Sequence, residues 1–118
     1  MTLTSTTISE RATRRALLMI ILISVALRVG SALYQGNAVE TLPGIFDQVS
    51  YDSLARRVLD GHGFSFDREW WPVTRAGEPT AHWSYLYTLF LTGVYGLSGA
   101  QPVIARVVQA ILVGILLP

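Results

Sequence analysis

The residues able to do chemistry are few, and most fall in one stretch. Residues 35–82 hold seven carboxylates against four arginines, a local net charge of −3. Asp47 stands where an amphipathic pattern begins, so its carboxylate either caps a helix N-terminus or serves a site. Glu78 falls in the turn sequence Arg75-Ala76-Gly77-Glu78-Pro79, as a plain loop acid or a second site acid. His82, beside Trp83, reads as an interfacial residue or as a metal ligand. Arg28 interrupts an apolar run, where a guanidinium either snorkels to the interface or holds a phosphate. Arg56 and Arg57 lie on a solvated helix face or help neutralise a phosphate. With no cysteine in the chain, disulfides and thiolate metal sites are excluded.

Three kinds of element must position these groups. From Tyr51 the apolar positions Tyr51, Leu54, Ala55, Val58 and Leu59 follow helical spacing, which predicts a surface helix over 48–60. Asp52 and Arg56 sit on its polar face, placed for an i, i+4 pair. Residues 16–34 form an apolar run with one charge, roughly 28 Å long as a helix and able to span a bilayer. Residues 83–97 predict a second span, with Trp83, Tyr85, Tyr87 and Tyr95 suited to interfacial belts. Residues 102–118 predict a third, incomplete span, in which Arg106 snorkels back to the cytoplasmic face. Between the surface helix and the second span, Phe64–Pro72 reads as extended, with Trp70 and Trp71 at the membrane surface.

Composition agrees with a bilayer. Hydrophobic residues make up 51% of the 118 and charged ones only 14%, where soluble domains carry roughly a quarter charged. So small a domain cannot bury that much apolar sequence in water. The net charge of +1 comes with no basic stripe, which argues against a nucleic-acid partner. Arg11, Arg14 and Arg15 end a polar tail, 1–15, and predict a cytoplasmic N-terminus by the positive-inside rule. Residues 35–82 then form an external loop. A twin-arginine signal peptide is the rival reading of the first apolar run. The last span stops without a flanking charge, so the chain is expected to be an N-terminal fragment of a longer polytopic protein.

The order of features carries a resemblance. A span ending in Ala26-Leu27-Arg28 is followed by Asp47 with Tyr51, Leu54-Ala55, Leu59 and Gly61-His62-Gly63-Phe64. Glu78-Pro79-Thr80-Ala81 then leads into an aromatic-rich helix, with Ala105-Arg106 and Gln109-Ala110 in the next. This resembles the N-terminal region of GT-C fold membrane glycosyltransferases, in particular the bacterial dolichyl-phosphate-mannose–protein mannosyltransferase-like group that includes the lipid A aminoarabinose transferases. The resemblance implies an all-α, polytopic fold with a membrane-surface helix in the first external loop. It implies inverting transfer of a sugar from a polyprenyl-phosphate donor to a glycan, lipid or protein acceptor outside the membrane.

By the same resemblance Asp47 is the catalytic acid residue, acting as base or positioning the acceptor, and Glu78, Arg28, Tyr51 and His82 line the substrate site. A divalent metal, if any, is shared by Asp47 and Glu78; no other cofactor is implied. Gln48 follows Asp47 where the protein mannosyltransferases have a glutamate, which moves the match toward the broader bacterial group. Two other classes compete: a small non-enzymatic membrane subunit or assembly partner, and a transporter or flippase fragment.

Overall fold

The computed structural model describes residues 3–70 and 72–117. Four helices account for the regular structure: α1 (Leu3–Gln35), α2 (Asp47–Leu59), α3 (Tyr85–Ser98) and α4 (Pro102–Leu116). Only isolated β-bridges accompany them among the described residues. The fold is therefore all-helical, as its apolar periodicities predict. Among the described residues, Ser9–Gln35 is the one stretch both long and apolar enough to cross a membrane.

Two compact units emerge, one made of α1 with the part of α4 from Arg106 onward, the other of residues 36–105. In the first, α1 is 33 residues long, about 50 Å. It starts at Leu3 and continues through Arg11, Arg14 and Arg15, so the expected tail 1–15 is helical over its described part; Met1 and Thr2 lie outside the described residues. Most of its large apolar side chains are exposed, Leu27 by 70% and Ile20 by 62%. That face suits lipid and not water. Where α4 packs on it, small residues allow close approach: Ala32 and Ala110 are buried. A Cβ at Gly114 would collide with Val25 and also meet Ile21. Gly114 thus faces the middle of α1 while Arg106 lies with Arg28 and Gln35, so the pair is antiparallel.

The second unit is held by polar clamps around an aromatic centre. Helix α2 begins at Asp47, one residue earlier than expected, and ends where the Asp60 and His62 amides donate to the Arg56 and Arg57 carbonyls at 2.9 Å. Its buried Leu54 and Ala55 lie on the predicted apolar face. They pack the helix along α3, where Ala55, Leu91, Tyr95 and Ala105 form a buried cluster. Ser84 caps α3 by accepting from the Tyr87 amide at 3.4 Å, and Gly99 ends it in the left-handed conformation, φ +77°. Ala100 follows with φ +59°, a strained state for a residue with a Cβ.

The stretch expected to be extended is instead a folded loop. The Gly77 and Thr80 amides donate to the Phe66 and Phe64 carbonyls at 2.8 Å each. Phe66 is fully buried between Trp83 at 4.7 Å and Trp70 at 5.4 Å, and Phe46 meets Trp70 at 6.3 Å. Each such pair adds about 0.5–1.5 kcal/mol beyond its buried area. Trp70 is therefore half-buried in this cluster, whereas Trp71 lies outside the described residues.

Two further expectations meet the geometry. The second span, 83–97, coincides with α3, whose 14 residues reach only about 21 Å, against a hydrocarbon core of roughly 30 Å. Tyr95, expected in an interfacial belt, is 3% exposed and donates to Asp52 of α2 at 2.7 Å. The stretch expected as a third span, 102–118, forms α4, an apolar helix of 15 residues; Pro118 lies outside the described residues. Its second residue donates from the Val103 amide to Asn37 Oδ1 at 3.0 Å.

Candidate functional site

The five residues singled out in the sequence fall in two places. Asp47, Tyr51, Glu78 and His82 belong to the unit of residues 36–105, and Arg28 to the α1–α4 pair.

Asp47 is the first residue of α2, and the capping position before it is Phe46, with no side-chain cap hydrogen bond. Asp47 is therefore the acid of the first turn, one residue past the capping position. Ser50 fixes the helix start instead, its amide and its hydroxyl both donating to the Phe46 carbonyl at 3.0 Å. Gln48 ties the same turn to the Glu40 carbonyl. Asp47 itself is exposed in the first turn of the helix. The approach to it, Leu42, Ile45 and Phe46, exposes apolar side chains by 47–54%.

The neighbours have structural partners. Tyr51, one turn along, packs edge-on against Tyr87 at 4.8 Å and accepts from the Ser84 amide at 3.2 Å. It joins α2 to the start of α3. Glu78 is exposed in a turn closed by its own amide donating to the Arg75 carbonyl at 3.2 Å. His82 stands edge-on to Trp83 at 4.8 Å, as an exposed residue. No group of three or more His, Cys, Asp or Glu that could hold a metal occurs among the described residues.

The polar face of α2 is more engaged than its sequence indicates. Asp52 does pair with Arg56, at 2.9 Å, but it also accepts from Tyr95. Arg56 lies 5.5 Å from the Tyr95 ring centre and donates to the Ala100 carbonyl at 3.3 Å, tying α2 to the strained turn after α3. The Asp52 hydrogen bond holds the Arg56 guanidinium above its usual range. Arg57 forks onto Ser65, 2.7 Å from its carbonyl and 3.2 Å from its hydroxyl, and so holds the folded loop to α2. Both arginines hold the local fold, in place of an idle solvated face. The sequence signal for Tyr95 was its i, i+4, i+8 spacing with Tyr87 and Leu91, which sets all three on one face of α3.

Arg28 lines a cleft of about 430 Å³ between α1 and α4 together with Ser31, Gln35, Arg106 and Gln109. This arrangement differs from the expected one, in which Arg28 reaches the outer interface and Arg106 the cytoplasmic one. Because α1 and α4 are antiparallel, the end of one lies beside the start of the other, and both arginines share one level. No family model matches the chain, and neither a curated protein nor a solved structure shows significant similarity to it.

Proposed function

We propose that the chain is the N-terminal part of an inverting glycosyltransferase, moving a sugar from a polyprenyl-phosphate donor to an acceptor outside the membrane. The observation that carries this reading is Asp47, an exposed carboxylate on the first residue of α2 that is not spent on capping. It is approached through exposed Leu42, Ile45 and Phe46, which suit the headgroup layer and bring the acid near a lipid-borne sugar.

The topology that goes with it has Arg11, Arg14 and Arg15 inside, α1 crossing outward, and α4 as the return.

The chemistry needs one base. The acceptor hydroxyl oxygen attacks the anomeric carbon opposite the phosphate, and its proton passes to a carboxylate oxygen of Asp47. The bond from the anomeric carbon to the phosphate oxygen breaks, and its electron pair leaves with the polyprenyl phosphate. That group leaves readily without an acid, so activation and alignment of the hydroxyl carry the catalysis. In the full-length transferase, Asp47→Asn should lower turnover by about 10²–10⁴-fold with little change in donor binding. Unchanged transfer from lipid-linked sugar would remove Asp47 as the base.

A further inference from the structure

We infer that the corner joining α3 to α4 is a strained hinge, latched by α2 through Arg56, that opens while α2 and α3 stay packed. The inference concerns residues 36–105 alone, and it stands whether or not Asp47 acts as a base.

The corner carries two costs. Ala100 holds φ +59°, a left-handed conformation that crowds its Cβ against its own backbone. At the last residue of α3, the Ser98 hydroxyl is buried without a hydrogen-bond partner among the described residues, where most buried hydroxyls have one. Ending a helix requires neither. One left-handed residue suffices, and Gly99 fills that place at φ +77°, a conformation glycine takes freely. Two unrelated costs so close together point to a conformation imposed from outside the corner.

The constraint comes from α2. Arg56 donates to the Ala100 carbonyl at 3.3 Å, and its guanidinium is itself aimed. Its Nε donates to one Asp52 oxygen at 2.9 Å, while Tyr95 of α3 donates to the other at 2.7 Å. The same guanidinium lies 5.5 Å from the Tyr95 ring centre. Asp52 thus sets both arms, one from its own helix and one from α3. The corner's own bonds are modest by comparison. The Gly99 and Ala100 amides share a single acceptor, the Tyr95 carbonyl, at 2.9 Å each. Because the Arg56 side chain is 45% exposed, its contact with Ala100 breaks into solvent without disturbing the buried cluster of Ala55 and Leu91. Such contacts define the low-stability openings of a fold. In the open state Ala100 leaves the left-handed region and the Ser98 hydroxyl meets water.

The test is amide hydrogen exchange of the full chain in uncharged detergent micelles, read residue by residue by NMR. Arg56→Gln should lower protection at Gly99 and Ala100 by about tenfold, with Leu91 unchanged. Asp52→Asn, which leaves Arg56 present but unaimed, should lower it at the same two amides by about threefold. Ala100→Gly removes the strain, so it should raise protection at Gly99 by about fivefold and restore most of what Arg56→Gln loses there. Arg57→Gln, whose clasp is on Ser65, should leave Gly99 as it is. Unchanged protection at Gly99 and Ala100 in Arg56→Gln overturns the latch. An equal loss at Leu91 overturns the hinge, because the corner then opens only with the whole helix pair. Failure of Ala100→Gly to restore protection overturns the strain. Should Arg56→Gln lose helix by circular dichroism, Ala100→Gly alone decides: raised protection at Gly99 supports the strained hinge, and unchanged protection overturns it.

Discussion

The two units of the chain solve opposite problems with the same backbone element. In the α1–α4 pair, large apolar side chains point outward and small ones inward, so helices meet through Ala32, Ala110 and Gly114. Residues 36–105 reverse this arrangement: Leu54, Phe66 and Leu91 are buried, and Asp52, Arg56, Arg57 and Ser65 bind helix to helix and helix to loop. In the first pair, small residues let the two backbones approach closely, and that approach holds the helices together. In residues 36–105, apolar burial drives association and polar clamps fix its geometry. The contrast teaches that one short chain carries two folding rules, with the change from one to the other falling within α4, at Ala105–Arg106.

The sharpest way to break the contrast is to empty the centre of residues 36–105. Phe66→Ala should cost about 3–5 kcal/mol there, read as lost amide exchange protection in α2 and α3 while α1 stays protected. Loss of protection in all four helices together would show one cooperative body instead. Next in size, Gly114→Leu should push α4 off Val25 and Ile21 at a cost of about 1–3 kcal/mol. Cysteine cross-linking between Ala32→Cys and Ala110→Cys would report it, and undiminished cross-linking would deny the close approach. Smallest is Tyr95→Phe, which removes the donor to Asp52 and should lower stability by about 1.5 kcal/mol. Thermal unfolding measures it, and Asp52→Asn in the same background should add little, because the two changes share one contact.

Much of this was legible beforehand for a definite reason. Periodicity found α2 to within a residue at each end, and length with composition found α1. The i, i+4 rule found Asp52 with Arg56. What stayed hidden depended on which apolar helix packs on which partner. Residues 83–97 carry as much apolar sequence as a short span, and their contacts to Tyr51, Asp52 and Leu59 of α2 leave no mark in a local pattern. The folded loop escaped notice because its order comes from long-range pieces, Phe64–Phe66 against Gly77–Thr80, with Arg57 as the clasp. At the candidate site, Asp47 was visible as an acid at a helix start, but its freedom from capping was not. The convergence of Arg28 and Arg106 was out of reach, since it turns on the direction of α4, which no local pattern encodes.

The single contact between Asn37 and Val103 has a consequence of its own. It joins the two ends of the intervening 65 positions, so that segment closes on itself. A segment gated in that way can be lengthened, trimmed or exchanged at its far end without asking the paired helices to move. Changes inside that segment can therefore accumulate without altering where its two ends meet.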